Sequence, residues 1–153
     1  MYRVAAALMV RGMNVYFPAI DNGVDLVTAT GLRIQVKSSR AIRRAMSKDH
    51  LTYGFRLGSA TKGAQRTFRI RPRAYADEVD FFVLWGIDED RFWIAPSSVF
   101  DKRSLLLLVV GRSTSYSDFA RTVYEGENRW DLLLPQPAAE SPLKLVAGGD
   151  GGN

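Results

Sequence analysis

Gly23-Val-Asp25-Leu-Val-Thr28-Ala-Thr-Gly31-Leu-Arg33-Ile-Gln35-Val-Lys37 is the stretch whose reading decides the fold. Val24 to Thr28 and Leu32 to Lys37 are rich in strand formers. Ala29-Thr30-Gly31 between them suits a three-residue hairpin loop, with Gly31 free to take the left-handed position. In the second strand Leu32, Ile34 and Val36 share one side and Arg33, Gln35 and Lys37 the other. One face is then core and the other polar. A three-residue turn sets Asp25 opposite Gln35 on the polar face, so a carboxylate, an amide oxygen and an ammonium converge.

The segments on either side give this hairpin a context. Tyr2 to Arg11 reads as a helix, with Val4, Ala7 and Leu8 at helical spacing and Gly12 placed to stop it. Met13 to Phe17 reads as a first strand that Pro18 ends. Asp21-Asn22-Gly23 is a turn signature; Asp21 is a second carboxylate, whose plainer job is closing that turn.

An acid, a hairpin, then an acidic or amide residue, one apolar residue and a lysine resembles the PD-(D/E)xK pattern. That pattern marks the restriction-endonuclease-like nucleases, among them Holliday-junction resolvases and intron-encoded endonucleases. Asp25 stands at the Asp of the pattern, and Gln35-Val36-Lys37 at its (D/E)xK triplet, with Gln in place of the usual carboxylate. Val15-Tyr16-Phe17-Pro18 and Ser38-Ser39 also resemble the group, and the likeness spans roughly residues 2 to 96. It implies an α/β fold, a mixed sheet of about five strands flanked by helices. It also implies a metal-dependent endonuclease that hydrolyses DNA phosphodiester bonds with Mg²⁺ or Mn²⁺. Asp25, Gln35 and Lys37 would be catalytic. Asp25, Gln35 and the carbonyl of Val36 would hold the metal. The family often carries a Glu just before the position of Tyr2, where this sequence has Met1. Asp80, at the head of a later strand, resembles a recurrent acid expected to order a loop or support the site. A resolvase-like role implies a homodimer.

Charge points the same way. From Ser38 to Arg73 there are ten basic residues and one acid, a balance of +9, leaving −4 for the rest of a chain of net charge +5. So one-sided a block suits phosphate backbone, or else is a solvated basic face without a ligand. Arg40, Arg43, Arg44, Lys48, Arg69 and Arg71 are the candidate nucleic-acid contacts. Ser39 to Met46 has helical composition, which puts Arg40 and Arg44 on one face. The lone His50 is more simply a surface residue. Leu51 to Leu57 and Gln65 to Arg71 alternate as strands around a Gly58 to Ala64 loop. This ribbon either follows a groove or is an ordinary edge hairpin guarded by arginines.

Val79 to Gly86 is apolar enough for a central strand, and Arg91 to Ala95 is the next, ended by Pro96. Phe81, Phe82, Trp85, Phe92 and Trp93 read as packing. Ser97 and Ser98 suit the start of a short helix at Val99 to Arg103. Leu105 to Val110 is a buried strand or a helix turn, Asp118 to Tyr124 a short helix, and Asn128 to Leu134 returns Trp130 to the body.

With 153 residues and no Cys, a single domain is expected over residues 1–134, with a flexible Pro-, Ala- and Gly-rich tail at 135–153. A disulfide framework and a Cys-ligated zinc site are excluded. No charged leader precedes an apolar core, and no apolar run is long enough for a bilayer, so a cytoplasmic protein that does not engage membranes is the plain reading. Gln35 keeps a second reading open: a nuclease-like nucleic-acid-binding protein without catalysis. A third is an unrelated α/β domain with a chance QxK strand.

Overall fold

The computed structural model describes residues 1–20, 23–42, 51–57, 59–62, 68–71, 77–101, 103–110 and 118–134. In chain order the elements are α1 (Tyr2–Val10), β1 (Val15–Tyr16), β2 (Leu26–Thr28), β3 (Arg33–Ser39), β4 (Ala41–Ile42), β5 (Thr52–Arg56), β6 (Ser59–Lys62), β7 (Phe68–Arg71), β8 (Phe81–Gly86), β9 (Arg91–Pro96), β10 (Leu105–Val109) and α2 (Asp118–Glu125). Short 3₁₀ turns occupy Ser97–Phe100 and Trp130–Leu133.

The main sheet has the five strands expected, in the order β1-β2-β3-β8-β9. β3 and β8 run parallel and the other neighbours antiparallel, so the sheet is mixed. The crossover from β3 to β8 carries β4 to β7. β4 and β5 join β10 in a three-stranded sheet, and β6 pairs β7.

Helix α1 ends where Gly12 takes φ +79°. The Gly12 amide donates to Met9 O at 2.9 Å and the Met13 amide to Leu8 O at 3.1 Å. This pair of bonds closes the helix as a Schellman motif. Val4, Ala5, Ala7 and Leu8 are buried on one face of the sheet with Leu26, Ile34, Val83 and Ile94. Full burial of each larger aliphatic side chain contributes about 1.5–3 kcal/mol. The other face packs Phe82, Leu84 and Trp93 against Tyr53 and Phe55 of β5, Leu106 and Leu108 of β10, and Phe100. Here the aromatic residues do the packing that the sequence suggested: Phe82, Phe92 and Trp93 are buried, and Phe81 and Trp85 partly so.

Three local expectations change. Of the helix expected over Ser39 to Met46, Ser39 ends β3 and Ala41–Ile42 is β4, with Ala41 paired to Tyr53 and Ile42 to Thr52, while residues 43–46 lie outside the described residues. A helix there would forgo ladder bonds that β5 supplies. Ser59–Lys62, expected within a loop, is strand β6, with Ser59 opposite Arg71 and Thr61 opposite Arg69. The short helix expected at Val99 to Arg103 is instead a 3₁₀ turn over Ser97–Phe100, without a side-chain cap. Leu105–Val109 settles as a strand, held by five pairs to β5.

The sheet's β9 edge is covered. The Ile94 amide donates to Gly126 O and the Asn128 amide to Phe92 O, each at 2.9 Å, and Trp93 bridges Glu127. Edge groups that another chain would otherwise recruit are thereby paired. Among the described residues no helix is long and apolar enough to cross a membrane.

Candidate active site

The β2–β3 hairpin builds the site. Leu26 pairs with Ile34 and Val27 with Arg33. The loop is Ala29-Thr30-Gly31, with Gly31 at φ +89° donating to Thr28 O at 2.9 Å. The Thr28 hydroxyl accepts from the Leu32 amide at 3.0 Å and so fixes the turn. The paired register ends at Leu26 and Ile34, one residue short of Asp25 and Gln35.

Asp25 is bound to β3 twice. Its amide donates to Ile34 O at 2.9 Å. Its Oδ2 accepts from the Val36 amide at 2.7 Å, where β2 has already diverged. Ile34 and Val36 thus turn their backbone polar groups toward β2. Arg33 O and Ser39 O instead accept from Asp80 and Ile87, on the β8 side. In a pleated strand a residue's N–H and C=O leave on the same side. The Val36 carbonyl therefore lies on the same side of β3 as the Asp25 carboxylate.

Gln35 and Lys37 occupy the face opposite α1, level with Phe82 and Leu84 of β8. The sequence reads this face as polar, but the second sheet covers it. Gln35 is only 7% exposed and Lys37 half-buried. The Gln35 Oε1 is buried and has no hydrogen-bond partner among the described residues. A buried polar atom left so costs about 1–3 kcal/mol, and its presence calls for a reason.

Asp80 does not join this group. Its two oxygens take Arg33 Nη2 at 2.8 Å and Arg33 Nε at 3.1 Å, and Oδ2 also accepts the Arg33 amide at 2.7 Å. The Arg33 side chain further donates to Asp77 O at 2.6 Å. The hydrogen bond from Arg33 holds the Asp80 carboxyl below its ordinary range, and the same bond raises Arg33. Asp80 therefore orders the heads of β3 and β8.

The basic candidates divide. Arg40 is exposed at the junction of β3 and β4, three residues beyond Lys37. Arg69 and Arg71 fall in β7. Arg43, Arg44, Lys48, His50 and Asp21 lie outside the described residues. Sequence reasoning missed Ser39, whose hydroxyl accepts from the Gly54 amide at 3.3 Å and ties the site strand to β5. Nothing local in the sequence marks this role of Ser39, because its partner lies fifteen residues away.

Among the described residues no three His, Cys, Asp or Glu side chains gather as metal ligands. Three oxygens of the hairpin strands could hold an ion: the Asp25 carboxylate, the Gln35 amide oxygen, which has no partner among the described residues, and the Val36 carbonyl. All are hard oxygens of the kind Mg²⁺ and Mn²⁺ accept, and the orphaned Gln35 oxygen fits that use.

No protein-family model and no curated protein matches the sequence. The structure is similar to that of a bacterial homing endonuclease, I-Ssp6803I, with a TM-score of 0.67 and 21% sequence identity over 87% of this chain and 86% of that one. At that identity the likeness establishes the fold: this chain has the mixed α/β architecture of a homing endonuclease.

Proposed function

We propose that the chain is a metal-dependent endonuclease that hydrolyses DNA phosphodiester bonds at the β2–β3 hairpin. The observation that carries this reading is the Asp25 carboxylate fixed on the Val36 amide, next in the strand to Gln35, whose buried side-chain oxygen has no hydrogen-bond partner among the described residues. The fold shared with a homing endonuclease supports it. Asp25, Gln35 and the Val36 carbonyl would hold Mg²⁺ or Mn²⁺. Such an ion lowers the pKa of a bound water and offsets charge growing on the phosphate.

The chain's own groups have distinct tasks in this reading. Val36 fixes one oxygen of Asp25, and the other would bind the ion. Lys37, two residues past Gln35 on the same face, orients the attacking water and neutralises charge at the scissile phosphate. Arg40, with Arg43, Arg44, Lys48, Arg69 and Arg71, holds the DNA backbone in a salt-sensitive way. The basic block favours a nucleic-acid substrate.

Gln35 favours a second reading, a nuclease-like protein that binds DNA without cutting it. One carboxylate and one amide bind a cation more weakly than two carboxylates. Supercoiled plasmid with and without Mn²⁺, beside Asp25→Ala and Lys37→Ala, separates the two. Metal-dependent nicking lost in both variants supports the nuclease. Retarded but intact plasmid at low salt supports the binding protein. Full nicking by either variant would overturn the assigned site.

A further inference from the structure

Helix α1 is apolar on both sides. Its inner face carries Val4, Ala5, Ala7 and Leu8. Its outer face carries Tyr2, Ala6, Met9 and Val10, at the spacing i, i+4, i+7, i+8. Tyr2 is 73% exposed, Met9 55% and Val10 86%. Phe17, itself 44% exposed, extends the patch with its ring centroid 5.2 Å from that of Tyr2. A helix facing solvent ordinarily turns charge outward.

The two arginines of this segment do not supply that charge. Arg3 is paired with Asp90 and lies over the Phe92 ring. Arg11 donates to Ala7 O at 2.8 Å and sits 4.6 Å from the Trp130 ring centroid. Both side chains are drawn back onto the body, and the outward stripe is left uncharged. Phosphate and acidic partners find no unpaired side-chain cation among Tyr2, Ala6, Met9, Val10 and Phe17.

We infer that this stripe is the contact surface for a second copy of the chain, with two α1 helices packed antiparallel about a two-fold axis near Ala6. Such an axis sets Tyr2 of each copy against Met9 and Val10 of the other, so the patch is its own complement. Ala6 at the crossing lets the helix axes approach to about 8 Å. Covering Tyr2, Ala6, Met9, Val10 and Phe17 would take about 500 Å² from each copy, or about 1,000 Å² in all, the size at which specific association begins. The inference rests on the exposed face and not on the nuclease reading.

The test is sedimentation of the full chain at tens of micromolar, beside Val10→Glu and Ala6→Cys. The expected result is a species of twice 17.1 kDa. Val10→Glu should weaken association at least tenfold. Because Val10 is 86% exposed, its melting temperature should stay unchanged. The chain has no cysteine of its own. Oxidised Ala6→Cys should therefore migrate as a covalent dimer that reductant reverses. A wild-type monomer at every concentration overturns the inference. So does a Val10→Glu dimer of unchanged affinity, which would place the interface elsewhere. A monomer that instead floats with neutral lipid vesicles would make lipid the occupant and equally overturn it.

Discussion

The main chain of Val36 grips the side chain of Asp25: the amide donates to Oδ2 at 2.7 Å, one residue past the partner that β2 would supply. A carboxylate thus stands in for the missing strand residue. It satisfies a half-buried amide and is held in place by it. Structural and chemical roles of Asp25 are joined in one bond, and substitutions separate them. Asp25→Ala removes the acceptor and should cost about 1–2 kcal/mol. In a chain of this length that is a fall in melting temperature of about 3–6 °C. Asp25→Asn keeps an oxygen for the Val36 amide and should melt near wild type. Both should lose metal-dependent nicking by about 100-fold or more, since neither keeps the anionic ligand. Wild-type cleavage by Asp25→Asn would remove Asp25 as the anchor.

The hairpin itself was legible in the sequence. Gly31, the alternation of residues 32–37 and the distance from Asp25 to Gln35 all act within fifteen residues, and the register follows from the loop. What covers the hairpin was not legible. Gln35 is buried because β5 and β10 fold across its face, and nothing near Gln35 records that. The same holds for β4 and β6, whose own composition is indifferent and whose partners decide. Asp80 was recognisable as an acid at a strand head. Its partner Arg33, 47 residues earlier, was visible only in the fold.

Asp80 and Arg33 set an acid limit on stability. Arg33 holds the Asp80 carboxyl below its usual range, chiefly by hydrogen bonding. A depressed carboxyl stabilises the fold above its unfolded value of about 3.9, and that contribution is lost as pH falls through the lower folded value. The side chains are 31% and 39% exposed, so solvent screening limits the contribution to about 1 kcal/mol. Asp80→Asn should therefore melt a few degrees below wild type at pH 7 and converge on it as pH falls through the lowered folded value. A gap between the two proteins that persists at low pH would show that charge is not what Asp80 contributes.

Gly126 should tolerate no side chain. A Cβ built there lies 2.0 Å from Ile94 O, a backbone atom that cannot swing aside. That approach is what lets Gly126 O accept from the Ile94 amide and Glu127 bridge Trp93. Gly126→Ala must open the covered edge of β9, at a cost of about 3 kcal/mol, or about 6–12 °C in melting temperature. Gly31→Ala is a useful comparison. It meets no atom within 4 Å, and only its positive φ resists, so its loss should be about 1 kcal/mol. Equal melting of the two variants would show that the segment at 126–128 does not hold the edge.

Gln35 offers the sharpest test of a cation at the hairpin, with a readout other than cleavage. Gln35→Glu puts a carboxyl on a residue that is only 7% exposed. Burial raises a carboxyl's pKa. A raised folded pKa means the folded state binds more protons, so stability should fall as pH rises above the unfolded value of about 4.3. Without metal, the variant should melt below wild type at pH 7.5. An ion held by Asp25, Glu in place of Gln35 and the Val36 carbonyl would remove that penalty. Binding to the folded state alone adds about 2.7 kcal/mol when the ion is at 100 times its Kd. Mn²⁺ should then raise the melting temperature of Gln35→Glu by several degrees more than that of wild type, and Asp25→Asn in the same background should abolish the difference. The double requirement separates a shared ion from general charge screening, because screening would survive the loss of Asp25. If Mn²⁺ moves neither protein's melting curve, the unpartnered oxygen of Gln35 does not face a metal, and the non-cleaving reading becomes the stronger one.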